Sequence, residues 1–441
     1  MKRFAFYLLP LFVCAFVQAQ SVSVEKTTFV TKAASIFQLS AVTAMNTKSG
    51  TTLVVWEQIT ATTTPSSHQI LARLVGKKGN PISPILTLAA GPTVSHPAIA
   101  FNPAKSEFLL AYDDNPNLNL LQSSVYLQRL DPAGHISGTT VKITTDSIST
   151  TMANFIPRIV FNPFNSEYTL VWVREAINNT QSATGNNGLV GVVLASTSAL
   201  SGNIFVLHKT VEDGTSLWSP IPQEIAYHTS GKLLLAYSQV QTGSSATKLN
   251  YFFGKLNADL TGTTDSDFKK INVNPVTINS SFPSAVRLVL QSTGAGFIIF
   301  ADSTNVKKRN LDTGANLVGA PVKAFAPPKS NTKLLFPVVA TSNGPSGQLS
   351  LLFAVEGAFD TGGQAKVWSQ VLSNTGDPIG AATQVDSTTS ADTALSLSLS
   401  ALPPGAGPYK FLGLYSLTGF HAPGLTFDSA GIISLKATIN H

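Results

Sequence analysis

The side chains that could carry acid–base or metal chemistry are few: 23 carboxylates, seven histidines and one cysteine in 441 residues. The histidines, His68, His96, His135, His208, His228, His421 and His441, show no His-x-x-x-His or His-Glu-x-x-His spacing, the pattern that puts two zinc ligands on one face of a helix. Asp113-Asp114-Asn115, followed by Asn117 and Asn119, gathers hard oxygens of the kind calcium takes; a solvated loop explains the same residues more simply. There is no Gly-x-Ser-x-Gly nucleophile elbow and no glycine-rich phosphate cradle. No catalytic residue, metal or cofactor is therefore expected, with one reservation. The two acids of a glycoside hydrolase can come from distant segments, so spacing alone does not exclude them.

The elements that would position any such group show as a repeat. Apolar runs closing on an aromatic recur along the chain: Thr-Leu-Val-Val-Trp56-Glu57, Phe-Leu-Leu-Ala-Tyr112-Asp113, Tyr-Thr-Leu-Val-Trp172, Leu-Leu-Leu-Ala-Tyr237, Gly-Phe-Ile-Ile-Phe300, Leu-Ser-Leu-Leu-Phe353 and Phe-Leu-Gly-Leu-Tyr415. The aromatics stand 53 to 65 residues apart, and a fixed period of this size signals one supersecondary unit used many times. Most copies are preceded by a short apolar strand carrying a proline: His96-Pro97, Ile156-Pro157, Ile221-Pro222, Phe282-Pro283 and Phe336-Pro337. Proline is tolerated at a strand's first residue, where its missing N–H falls outside the ladder.

A polar hairpin with Asp or Asn shortly before Gly follows each aromatic strand, as in Asp131-Pro-Ala-Gly134, Asp312-Thr-Gly314 and Asp428-Ser-Ala-Gly431. Asx side chains bond the local backbone and Gly takes positive φ, so these aspartates read as structural. Glu57, Asp113, Glu175, Asp302 and Glu356 recur just after the aromatic strand, which argues for a shared structural duty as well.

Four antiparallel strands per unit, seven times, predict an all-β fold, a seven-bladed β-propeller of four-stranded antiparallel blades. Ser21 to Val30 reads as a further strand that closes the ring beside the segment around Ile432 to Ile439. The units resemble the Pro-x-φ-φ-Phe-Asn … φ-φ-Trp-x-Asp … Asp-x-x-Gly repeats of secreted, mostly uncharacterised seven-bladed propeller proteins. That resemblance spans the chain after its first 19 residues. WD40 and kelch signatures are missing, and so are the Ser-x-Asp-x-Gly-x-Thr-Trp turns of sialidases.

In a propeller the opening strands line the central channel, which singles out Arg158 and Arg287 as candidates for an anion contact; an ion pair between neighbouring blades is the plainer role. Arg73, Arg129 and Arg309 fall at comparable places near the hairpins and read as architectural. Trp218, in Ser-Leu-Trp-Ser-Pro just before the fourth unit, could stack on a sugar or simply pack a loop. The basic groups Lys77-Lys78, Lys269-Lys270 and Lys307-Lys308-Arg309 lie tens of residues apart, and solvated hairpin lysines fit them better than a patch for an anionic polysaccharide.

Met1-Lys2-Arg3, an apolar stretch from Phe4 to Val17 and Val17-Gln18-Ala19 have the layout of a secretory signal peptide, residues 1–19, leaving 20–441 as one domain. Cys14 lies inside it; a lipid anchor there is disfavoured by the bulky Val13. Only 12% of residues are charged and 43% are hydrophobic, which excludes a disordered chain. Loss of Lys2 and Arg3 brings the formal charge from +6 to about +4, no nucleic-acid signature. No later apolar run reaches the ~20 residues of a membrane span. The sequons at Asn178 and Asn279 would carry glycans in a eukaryotic secretory pathway. The expected function is a secreted binding, adhesive or structural module that meets an extracellular protein or glycan. A carbohydrate-active enzyme, glycosidase or lyase, with acids at the channel mouth is the alternative, and self-assembly into a filament a third.

Overall fold

The computed structural model describes residues 21–28, 36–60, 67–115, 123–144, 152–176, 188–196, 202–209, 211–212, 217–242, 247–278, 286–302, 305–325, 334–344, 347–356, 366–387, 392–401, 409–419 and 430–440. They form seven antiparallel sheets, each built from consecutive strands except the last. The opening strands are Ile36–Asn46, Ser95–Asn102, Met152–Asn162, Leu217–Tyr227, Val286–Leu290, Leu334–Gly344 and Asp392–Ala401. Each touches the opening strand of the next sheet, and the seventh touches the first, so the sheets close into a ring. The chain is an all-β, seven-bladed propeller. The fourth blade has an outer edge split into Phe268–Lys270 and Val276–Ile278, plus a short inner pair at Val211–Glu212. The seventh blade takes its outermost strand from the other end of the chain: Ser21–Thr28 pairs with Ala430–Asn440 in the register Ser21↔Asn440 to Thr28↔Ile433. Among the described residues no helix is long and apolar enough to cross a membrane. Residues 1–20, with the proposed leader and Cys14, lie outside the described residues, as do Asn178 and Asn279.

The aromatics fill the spaces between blades. Trp172 packs among Leu109, Leu127 and Ile143 of the second blade and Leu170 and Val190 of its own. Trp56 meets Leu412 of the seventh blade, Tyr237 meets Leu189 of the third, and Phe300 meets Leu249 of the fourth. Phe353 departs from this series. In the first three blades the aromatic lies opposite a β-bulge in the opening strand, whereas in the sixth the residue opposite the bulge is Ala354. Ala354 pairs directly with Trp368 on the third strand, and Trp368 packs into the space between fifth and sixth blades. The bulk has moved to the neighbouring strand, as close packing of the interior demands. Phe353 itself points the other way, toward Phe411 and Ile439.

The prolines also sit elsewhere than expected. The strands begin before them, and the register shifts between Ser95 and Ala98, Phe155 and Arg158, and Leu335 and Val338 place Pro97, Pro157 and Pro337 inside bulges. A bulge leaves residues unpaired in the ladder, so a missing N–H is tolerated there as well as at a strand end. The residue before the proline takes a left-handed backbone: His96 has φ 50° and Ile156 φ 55°.

The tight turns behave as their composition implies. Asp131 Oδ1 accepts the N–H groups of Ala133 and His135, and Asp312 Oδ1 those of Gly314 and Asn316. At the first hairpins, Asn46, Asn102 and Asn162 accept N–H groups two or three residues on. On the third strands a long side chain donates to a carbonyl ten residues later: Arg73 to Ser83, Gln128 to Gly138, Arg309 to Gly319 and Gln370 to Gly380. Arg73 and Arg309 are thus equivalent. Arg129 is displaced by one residue and instead pairs with Glu107 and reaches the Ser196 carbonyl of the third blade.

Candidate functional site

The opening strands of all seven blades contribute to one central cavity of about 230 Å³. Nine of its fourteen lining residues are aliphatic, Ala41, Val42, Ala98, Ile99, Ile159, Ile225, Val338, Val339 and Leu399, yet polar atoms make up most of the surface that faces the cavity. Its ionisable groups are Arg158, Glu224 and Arg287, from the third, fourth and fifth blades. The sequence placed both arginines on channel strands; Glu224 went unremarked because its neighbours, Gln223 and Ile225, give no sign of a site.

A bulge between Pro222 and Glu224 shapes this cluster. The Gln223 carbonyl accepts from both guanidiniums, from Arg158 Nε at 3.3 Å and from Arg287 Nη1 at 3.3 Å. Arg158 Nη1 also donates to the Pro157 carbonyl at 2.9 Å, and Arg287 Nη1 to that of Val286 at 3.3 Å. Glu224 Oε2 lies 3.8 Å from Arg287 Nε, an ion pair between blades. Two guanidiniums therefore converge on one carbonyl oxygen with a single carboxylate beside them.

The electrostatics follow from that count. Burial, then the like charge of Arg287, pulls the Arg158 pKa down to about 10, and Glu224 and Asp113 only partly offset them. Burial likewise lowers Arg287 against the pull of Glu224. Glu224 is 37% exposed, to solvent inside the channel, yet desolvation raises its carboxyl above the ordinary value despite both arginines. An incoming anion between the guanidiniums would relieve their mutual repulsion.

Beside the cavity, at the bulge of the second blade, lies a network of acids and histidines. Asp113 accepts from Ser95 Oγ at 2.6 Å, from His96 Nδ1 at 2.9 Å and from the Ile156 N–H of the third blade at 2.9 Å. Glu57 of the first blade accepts the His96 N–H at 3.4 Å and faces His68 Nδ1 at 3.4 Å. Each acid thus holds the left-handed bulge residue of the following blade. Asp113-Asp114-Asn115 is accordingly a bonded strand end and not a solvated loop, while Asn117 and Asn119 lie outside the described residues. Asp113 and Asn115 are each 4% exposed, Thr93 bonds Asp114 and the Asn115 N–H, and among the described residues no group of three or more His, Cys, Asp or Glu could hold a metal. The shared duty is seen for Glu57 and Asp113, and the side chain of Glu356 lies outside the described residues. Glu175 lies three residues past its aromatic and pairs with Ala153, and Asp302 pairs with Lys307.

Burial opposes the charge on His96, but the field and hydrogen bond of Asp113, with Glu57 behind it, outweigh burial and raise the imidazole above 6.5. A raised folded-state pKa adds stability below the unfolded value near 6.5, and that stability is lost as pH rises through the folded value. His96→Asn should therefore lower the melting temperature more at pH 5.5 than at pH 8.5. Equal losses at both pH values would show that folding leaves the imidazole pKa unshifted.

Trp218 is not in a loop. Its backbone lies in the strand Leu217–Tyr227, between Val211 and Gln241, and its side chain lies outside the described residues. Lys269-Lys270 and Arg309, remote in sequence, line one groove between the fourth and fifth blades.

No protein-family model matches the sequence, and no curated protein matches it. Among solved structures the chain is similar to a Hadza microbial sialidase (12% identity, TM-score 0.45, 82% of this chain and 73% of that one). It is also similar to Trypanosoma rangeli sialidase in complex with sialic acid (11%, 0.43, 80% and 55%). A third likeness is to an exo-beta-1,3-galactanase from Phanerochaete chrysosporium with galactose (12%, 0.35, 81% and 93%). The sialidase turn motif is missing from this sequence.

Proposed function

We propose that the protein is a secreted, non-enzymatic binding module whose channel takes a carboxylate- or sulfate-bearing group of an extracellular glycan or protein between Arg158 and Arg287. The carrying observation is the convergence of two guanidiniums on the Gln223 carbonyl with only Glu224 to balance them. Arginine suits this task because its planar fork matches a carboxylate or sulfate with paired hydrogen bonds. Export rests on the Met1 to Ala19 leader pattern.

Calorimetry with glucuronic acid and glucose tests the reading. The acid should bind and the neutral sugar should not. Arg158→Met or Arg287→Met should weaken the acid by about tenfold or more, as loss of a charge-assisted hydrogen bond worth ~1.5–3 kcal/mol implies. Equal binding of both sugars, or full affinity in both variants, would refute it.

One observation favours the enzymatic reading: a carboxyl whose pKa is raised inside a cavity is what a general acid requires, and Glu224 is such a group. Glycoside hydrolysis needs a second carboxylate, and Glu224 is the one acid among the described lining residues. Turnover of a chromogenic glycoside that disappears in Glu224→Gln would establish the enzyme in place of the binding module.

A further inference from the structure

We propose that the groove between the fourth and fifth blades is a second binding site, for an acidic or sulfated polysaccharide. The groove encloses about 660 Å³, within the range of ligand-sized clefts. Four cations line it: Lys255, Lys269 and Lys270 from the fourth blade and Arg309 from the fifth. Two of them are fixed across the blade boundary by neutral partners. Lys255 Nζ donates to the Gly314 carbonyl at 3.0 Å and to Asn316 Oδ1 at 2.8 Å, and Arg309 Nη1 donates to the Lys270 carbonyl at 3.2 Å. These contacts hold position without an ion pair, although Asp312 feels the field of Lys255.

Three cations of the third strands have acid partners, Arg129 with Glu107, Lys307 with Asp302 and Lys308 with Asp377. Among the described residues none of the four groove cations forms an ion pair. One carboxylate, Asp267, lines the groove with the four cations and is bonded to the N–H and hydroxyl of Thr264, while Asp312 beside it holds the Gly314 and Asn316 N–H groups. Desolvation already lowers the Lys270 ammonium with no carboxylate to restore it, a cost that a bound anion would remove.

The rest of the lining separates a polysaccharide from a nucleic acid. Single-stranded nucleic acids need exposed aromatic faces for base stacking, and the one aromatic here, Phe253, is 3% exposed. Ser266 and Asn316, both exposed, offer hydroxyl and amide groups suited to sugar hydroxyls. The sequence hid this site because its cations come from two repeats.

The test is binding of a heparin-derived decasaccharide at low and moderate salt, with the double variant Lys269→Gln/Lys270→Gln. Both lysines are exposed, so the melt should stay unchanged. The wild type should bind, and the double variant should lose about tenfold in affinity with a shallower salt dependence. Lys77→Gln/Lys78→Gln, which removes the same charge from an exposed hairpin of the first blade, should retain wild-type affinity, as should Arg158→Met/Arg287→Met in the channel. The proposal is overturned by absence of binding at low salt, by an equal loss in the Lys77/Lys78 variant, or by equal binding of a single-stranded oligonucleotide.

Discussion

Deletion of Ser21–Thr28 is expected to lower the melting temperature by about five degrees or more and to make the protein self-associate. The other six blades take their strands from consecutive chain, whereas the seventh holds its outermost strand only by pairing, over the eight positions from Ser21↔Asn440 to Thr28↔Ile433. Each ladder hydrogen bond contributes about 0.5–1.5 kcal/mol net. Val22 also packs against the cluster of Val338, Phe411 and Ile439 that joins the sixth and seventh blades. Several kcal/mol are therefore at stake, and at about 1 °C per kcal/mol for a chain of this size the melt should move by that amount. Without this strand, Ala430–Asn440 presents an unpaired edge, the usual template for association. Scanning calorimetry and light scattering read both effects, and a synthetic Ser21–Thr28 peptide added in excess should restore part of the melt by binding the folded form. An unchanged melt would mean that the ring holds through its inner strands alone.

The ring was legible because its signals are local. Alternating apolar runs, Asx-Gly turns and a period near sixty residues each depend on a few neighbouring positions, and all recur. The channel arginines were legible for the same reason, since any residue just past Pro157, or near the expected start of the fifth opening strand, must lie at the centre. What failed were inferences about register. Pro97 and Pro157 were read as strand starts because a missing N–H looks alike at a strand end and in a bulge. Phe353 was aligned with Trp172 because a shift of one residue keeps the composition of the run while reversing the face that each side chain takes. The acid series broke down likewise, since Glu175 and Glu57 differ by two places relative to their aromatics. The inter-blade groove was illegible for a different reason. Lys270 and Arg309 are 39 residues apart, and only the packing of one blade on the next brings them together.

The position that did keep its register supplies the second large effect. Asp113→Ala should cost about 3–5 kcal/mol, the range for removing one partner of a buried charged network. Asp113 is 4% exposed and serves two blades at once, accepting from Ser95 and His96 of its own and from the Ile156 N–H of the next. The last of these matters most. Ile156 is β-branched and left-handed at φ 55°, a conformation that costs roughly 1–2 kcal/mol in an L-residue and persists only where its surroundings compel it. Its neighbours Pro157 and Arg158 carry the chain into the channel wall, so the carboxylate that fixes Ile156 also fixes where the Arg158 guanidinium starts. Alanine leaves that N–H and the Ser95 hydroxyl without an acceptor and removes the counter-charge that raises the His96 pKa. Asp113→Asn keeps one oxygen and the volume, and should fall between wild type and alanine. Urea melts at pH 5.5 and 8.5 would measure the series, with the larger loss at the lower pH, where His96 contributes its charge. A variant that kept its full stability and lost only binding or turnover would return Asp113 from architecture to chemistry.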